Sequence, residues 1–502
     1  MKLSTALIFG NNMVIQQGKH FVIWGEAEPG VEVTVSIQGK AEAAITDSEG
    51  KWKAVLPALE MAQKEQLFIQ TPEEEILYEN VAVGEVWLAG GQSNMEFYMR
   101  YDAEYSEEVK NAENPNIRFF DYPEVCYEGQ LEEYNYDQFG FWRTCDSTNL
   151  EYYSAVAYYF AKEMQQDLHV PIGIIGCNLG GSPSCAWMSE KSIRKAGESW
   201  LTEYEEGVKT LDLTAYAQGY RCNPMNDRTN PFMEFNEIAL RGVNREQQLA
   251  MMSQMPPMPE TVLGPMDAWR PAGLYETMLK KLVPYGIRGF LFYQGESDDP
   301  KAELYQNMLT TLIEDWRGLW KEELPFLFVQ LAPFEVWLAV EAMDYPTLRE
   351  AQEQVAKNVP SAWMASTGDV GCRYDIHPKN KRPVGERLAL LAKGHVYGED
   401  ISCDAPEAES AGRIGNIVEV LFKHAEALQC AEEKINAVQI YIGEQEIADT
   451  EYELQISGNK LIISWKSELP GQLRIAFART NYYQVNLYNE ANIPVKPFEI
   501  IV

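Results

Sequence analysis

Glu85-Val86-Trp87-Leu88-Ala89-Gly90-Gly91-Gln92-Ser93-Asn94-Met95-Glu96 is the stretch on which the architecture turns. Its first half is a short apolar run, the pattern of a buried strand. The glycine pair lets the chain turn sharply and approach another backbone closely, and the polar residues after it can start a helix. A strand that breaks into a helix in this way belongs to an open α/β sheet. A residue at the break lies on the carboxyl edge, where such sheets form their sites. Ser93 alone could be a helix N-cap, so its meaning depends on what else reaches the same edge.

Working outward, strand and helix alternate from about residue 81 to 400. Pro171-Ile172-Gly173-Ile174-Ile175-Gly176 and Ile287-Arg288-Gly289-Phe290-Leu291-Phe292-Tyr293 read as buried strands. Leu304, Met308, Leu312, Trp316 and Leu319 follow with helical spacing. Another strand (326–330), a helix (347–358) and a strand (362–366) complete the rhythm. Such alternation implies parallel pairing with helices on both faces. Residues 189 to about 265 interrupt it, and their Asn223-Pro224-Met225 and Met255-Pro256-Pro257-Met258-Pro259 runs read as a helical and looped insertion. Before residue 80 the pattern is all-β. Val31-Glu32-Val33-Thr34-Val35-Ser36-Ile37 and Lys51-Trp52-Lys53-Ala54-Val55 alternate with period 2, as in a small sandwich. After residue 401 strands return without long amphipathic helices. The expected organisation is therefore an N-terminal β-domain (1–80), an α/β domain (81–400) with its insertion, and a C-terminal β-domain (401–502).

Composition narrows the function. The 502 residues carry 42 Lys and Arg against 75 Asp and Glu, a net charge of −33. A surface this acidic repels phosphate backbones and anionic membranes, so neither nucleic acid nor a membrane is the expected partner. No apolar run approaches the ~20 residues of a membrane span. The N-terminal residues Met1 to Gly10 show no clear signal-peptide core or cleavage site, giving a cytoplasmic expectation with secretion left open. The eight cysteines form no C-x-x-C pair, which argues against a structural zinc site and for free thiols. No metal or cofactor is expected, and the oligomeric state is not legible.

Four loops on the carboxyl edge carry chemistry. Met95 breaks the G-x-S-x-G pattern of the α/β-hydrolase elbow, so a nucleophilic Ser93 needs its base elsewhere. Of five histidines, His20 and His424 fall in the β-domains, His169 precedes a strand, and His395 lies deep in a helical stretch. His377 remains, in Tyr374-Asp375-Ile376-His377-Pro378, between a strand and a helix. Asp375 could orient its imidazole. Asn178-Leu179-Gly180-Gly181-Ser182 offers backbone N–H groups and Gln294-Gly295-Glu296-Ser297 a side-chain amide, the donors a developing oxyanion requires. Together they favour acyl-ester hydrolysis over the rival reading of a non-catalytic carbohydrate-binding protein.

At these blocks, and at Asn12-Met13-Val14-Ile15-Gln16, Pro271-Ala272-Gly273-Leu274-Tyr275 and Asn486-Leu487-Tyr488-Asn489, the chain resembles the sialate O-acetylesterases among the SGNH-hydrolase carbohydrate esterases. The resemblance implies a flavodoxin-like, three-layer parallel core flanked by β-sandwich-like domains, and removal of acetyl groups from sugar hydroxyls through a serine acyl-enzyme. It implies Ser93 as nucleophile, His377 as base, and an oxyanion hole of Gly181, Gln294 and the Ser93 N–H. Asn94, Trp187 and Glu296 would meet the substrate. The triad acid stays open between Asp375 and Glu296, or a Ser–His dyad. The substrate stays open between O-acetyl sialic acid and acetylated xylan or mannan oligosaccharides. Trp142, Trp187, Trp269 and Tyr293 are the aromatic candidates for facing a sugar, with core packing the default for any one of the chain's 58 aromatics.

Overall fold

One strand, Glu75–Gly91, runs through two kinds of sheet. Up to residue 80 its side chains alternate between exposed and half-buried, and from Val81 onward all are buried. The first stretch pairs antiparallel with Ala62–Gln70 of the N-terminal β-layer. The second is the centre of a parallel sheet whose two faces are both covered, hence the continuous apolar run. The computed structural model describes residues 2–254, 262–466 and 471–502. The 255–259 run of the expected insertion lies outside them.

The chain forms two compact units. One comprises Met1–Arg241, Pro259–Ser297 and Asn307–Phe326, the other Gly242–Met258, Asp298–Gln306 and Leu327–Val502. They cut across the three expected segments, because the strand through residue 80 is unbroken and the 189–265 region contributes to both.

In the first unit the sheet order is Trp142–Cys145, Asn114–Asp121, Ile172–Asn178, Glu75–Gly91, Gly289–Tyr293. The last four strands pair in parallel and Trp142–Cys145 is antiparallel. Alternate residues of the central strand face opposite layers. Trp87 meets Phe160 of helix Ala155–Leu168 edge-on, 5.1 Å between ring centroids. Gly90 faces the other way, toward Trp316 of helix Tyr305–Trp320; a Cβ there would stand 2.6 Å from that indole. Trp316 also packs on Phe290 and Phe292. Helices Glu190–Ala196, Glu198–Lys209, Leu213–Cys222 and Glu234–Leu240 fall within residues 189–265.

Buried Arg118 ties the β-layers to the parallel sheet. Its guanidinium donates to the carbonyls of Pro115 (3.1 Å), Asn12 (3.0 Å), Gln63 (3.0 Å) and Asn80. Burial lowers its pKa only to about 10, so it stays charged at neutral pH. Glu85, fully buried, takes a bidentate pair from Arg288 at 2.6 and 2.9 Å.

The second unit holds helix Tyr345–Asn358, strand Ala362–Ala365 and helix Arg382–Leu391. Its C-terminal strands form two four-stranded antiparallel sheets. Val418, Val420, Phe422, Ile440, Leu461, Ile463, Leu473, Ile475 and Phe477 fill a shared core between them. The molecule is thus mixed α/β, with a large mixed sheet and additional β-sheets. Among the described residues the eight cysteines form no disulfide, and no helix is long and apolar enough to cross a membrane.

Arg118→Met strands several buried carbonyls without a donor. It should cost about 3 kcal/mol of unfolding free energy in urea denaturation. A loss below about 0.5 kcal/mol would mean that water replaces the guanidinium freely.

Candidate active site

The first unit brings three of the four expected loops together at the carboxyl ends of its parallel strands. Gly91 adopts φ +137°, and a Cβ there would lie 2.2 Å from the Tyr293 carbonyl, so only glycine permits the crossing. The chain then donates Gln92 N–H to Tyr293 O at 3.0 Å and begins the single helical turn Ser93–Glu96. Ser93 is therefore the first residue of a helix at the end of the central strand. Leu179 N–H donates to Gly91 O at 3.1 Å and brings in the glycine loop. Gln92, which the sequence reading passes over, is the brace. Its buried Oε1 accepts N–H groups of Gly295 (3.3 Å) and Ser297 (3.4 Å), binding the serine loop to the Gln-Gly-Glu loop.

Gly181 takes φ +74° against the Trp269 indole. The loop is fixed by Ser297 Oγ donating to Gly181 O at 2.9 Å and by Gln294 Nε2 donating to Ser182 O at 3.3 Å. Ser93, Gly181 and Gln294 therefore share one edge of one sheet. Asn94 Nδ2 donates to Glu296 Oε1 at 2.5 Å, so these two expected substrate residues hold each other. Trp187 is fully buried and donates Nε1–H to Ser182 Oγ at 2.8 Å, which places it behind the glycine loop as support rather than on a sugar-facing surface. Trp142 and Tyr293 are buried as well. Of the four aromatic candidates only Trp269 is exposed, at 44%, with Nε1–H donated to Gly180 O at 3.3 Å.

Asp375 and His377 belong to the second unit. Asp375 Oδ1 accepts the His377 backbone N–H at 2.9 Å but lies 3.7 Å from imidazole Nδ1, beyond hydrogen-bond reach. Asp375 Oδ2 pairs with Lys379 at 2.9 Å. His377 is buried edge-on against Trp337, 4.9 Å between centroids. Burial, with the positive charges of Lys379 and Lys381, holds the imidazole well below its ordinary pKa, so it is neutral and able to accept a proton. Gln248 secures this loop by donating Nε2–H to Tyr374 O at 2.8 Å and accepting Leu338 N–H at 3.1 Å. Nothing in the sequence singles it out, because it sits in a segment that reads as insertion.

Behind Ser93 lies a feature the sequence conceals, a buried cluster of Glu96, Asp121 and Glu124. A Cβ at Gly180 would stand 3.2 Å from Glu96 Oε2 and 3.5 Å from Ser93 Cβ, so the carboxyl abuts the serine and glycine loops. Burial first, then Glu124, raises Glu96 well above the carboxylate range and Asp121 to about 8. Arg228, 2.9 Å from Glu124, offsets part of the rise at Glu96 and Glu124. A carboxyl raised from 3.8 to about 8 on folding binds more protons native than unfolded, so stability falls as pH rises through that interval. Asp121→Asn should flatten the decline in unfolding free energy between pH 4 and 8 relative to the parent. An unchanged slope in urea melts across that range would count against a protonated Asp121.

Residues 263–392 match the family model described as "Carbohydrate esterase, sialic acid-specific acetylesterase". The sialate O-acetylesterase of Mus musculus is 26% identical over 427 residues, 78% of this chain and 72% of its own length. That of Homo sapiens is 26% identical over 432 residues, covering 78% and 71%. The solved structure of a novel carbohydrate acetylesterase from Xanthomonas citri superposes with a TM-score of 0.76 at 27% identity over 99% of each chain. Family model, relatives and solved structure agree with the chemistry expected of the loops: the chain is a carboxylic ester hydrolase that resembles the sialate O-acetylesterases.

Proposed function

We propose that the chain removes acetyl groups from sugar hydroxyls, in the manner of a sialate O-acetylesterase, through a serine acyl-enzyme on an SGNH-hydrolase core. The observation that carries this reading is the convergence of Ser93, Gly181 and Gln294 on one sheet edge. Ser93 Oγ attacks the acetyl carbonyl as His377 takes its proton. The Ser93 and Gly181 N–H groups and the Gln294 amide stabilise the oxyanion. His377 then protonates the departing sugar oxygen, and water hydrolyses the acetyl-enzyme by the same proton route. Asp375 is our choice of acid, because it already fixes the backbone of His377. Glu296, held by Asn94, is assigned to the sugar.

A second reading is deacetylation of neutral hemicellulose oligosaccharides. The net charge of −33 favours it, since that field opposes approach of an anionic sialate.

Acetate release from 9-O-acetyl sialic acid and from acetylated xylo- or manno-oligosaccharides decides between them. Ser93→Ala should lower kcat at least ~10³-fold on whichever is turned over. No Ser93-dependent acetate from either would sink both readings, and retained sugar binding would then favour a binding protein. Because His377 is held below its ordinary pKa of 6.5, kcat/KM should stay level from neutral pH to below 6.5. A loss of activity that begins near pH 7 contradicts His377 as base. Trp269→Ala should raise KM about fivefold with kcat within about twofold, as loss of an apolar sugar platform would. A fall in kcat alone would assign Trp269 to the glycine loop instead.

A further inference from the structure

The second unit contains a convergence of nitrogen, sulfur and oxygen donors that the proposed reaction does not use. His395 lies on the π-helical turn Ala392–Val396 after helix Arg382–Leu391. Cys403 and Asp404 precede strand Glu407–Ile414, and His424 follows strand Ile417–Lys423. His395 Nε2 is 3.0 Å from Asp404 Oδ1 and 3.5 Å from Cys403 Sγ. Cys403 Sγ is 4.0 Å from Asp404 Oδ2, and His424 Nδ1 is 3.9 Å from the same oxygen. Donors bound tetrahedrally to one zinc ion stand roughly 3.3–3.8 Å apart, given metal–ligand lengths of about 2.0–2.3 Å. The three donor atoms of His395, Cys403 and Asp404 lie within 4.8 Å of one another.

The surroundings orient these donors as an outer shell does. The His395 ring stacks on Trp363, 4.7 Å between centroids and 9° between planes. A Cβ on Gly394 would lie 2.5 Å from Cys403 Sγ, so glycine lets the thiol settle on the π-turn, a local geometry frequent at functional sites. Asn489, fully buried, clamps both loops. Its Nδ2 donates to His424 O (3.0 Å) and Asp404 O (3.2 Å), and its Oδ1 accepts Ala491 N–H (3.1 Å) and Ile493 N–H (3.0 Å).

We propose that His395, Cys403 and Asp404 form a structural site for a thiophilic divalent cation of the zinc class, with His424 beside Asp404 in its surroundings. A thiol and an imidazole select against magnesium and calcium. On binding, the Cys403 S–H bond breaks, its proton passes to solvent, and a sulfur–metal bond forms with no change of oxidation state. The ion would pin the end of helix Arg382–Leu391 to the loop before strand Glu407–Ile414. Its ligands come from separate segments, so no Cys-x-x-Cys spacing announces it.

The test uses the full chain stripped with EDTA. Zinc titrated against a chromophoric chelator should bind at one equivalent and raise the thermal midpoint. Cobalt should give tetrahedral bands with a thiolate charge-transfer band. That band should vanish in Cys403→Ser and persist in Cys222→Ser and Cys372→Ser, whose thiols are exposed. His395→Gln should weaken zinc binding at least about tenfold and supplies the decision if Cys403→Ser does not fold. Absence of stoichiometric zinc uptake, a cobalt spectrum unchanged by Cys403→Ser, or affinity unchanged by His395→Gln would overturn the proposal.

Discussion

The strand Glu75–Gly91 has to satisfy two incompatible surroundings, and much of the first unit follows from that. Its first third obeys the two-faced rule of a sandwich and the remainder the fully covered rule of a parallel sheet. The switch brings the N-terminal β-layers against the α/β core, where backbone carbonyls from several segments meet away from water. Arg118 answers that need with one charged fork. At its far end the strand must stop against the Tyr293 carbonyl, and only a residue without a side chain can do so. The position of Ser93 is thus set by backbone packing before any chemistry is considered.

The same economy shapes the surroundings of the serine. Gln92 joins two loops, Trp187 supports a third, and a buried carboxyl cluster lies beneath. Burying three carboxyls so close together is tolerated only because protons and Arg228 remove most of their charge. The region behind the serine is therefore less acidic than its residues suggest. A formal count of charges overstates what a substrate would feel there.

Much of this was legible in the sequence. Period-2 alternation announced the β-layers, and apolar runs followed by glycine-bearing turns announced the parallel strands and the loops that carry Ser93, Gly181 and Gln294. What escaped was whatever depends on residues distant in the chain. Residue 80 looked like a boundary because the pattern changes there, yet hydrogen bonding continues through it. Trp187 stands beside the glycine motif and reads either as a sugar-facing aromatic or as core, and only the fold shows its indole spent on Ser182. Gln248 and the His395–Cys403–Asp404 group have no local pattern. They gain meaning only once separate segments are folded together.

The unbroken strand also limits how this architecture can be recombined. Exchange of modules between related chains works where a junction falls in an exposed connection. A junction at residue 80 would instead divide a hydrogen-bonded ladder and separate Arg118 from the carbonyls of Asn12 and Gln63. The N-terminal β-layers and the serine-bearing sheet would therefore have to be exchanged as a single block, however distinct their sequence patterns look.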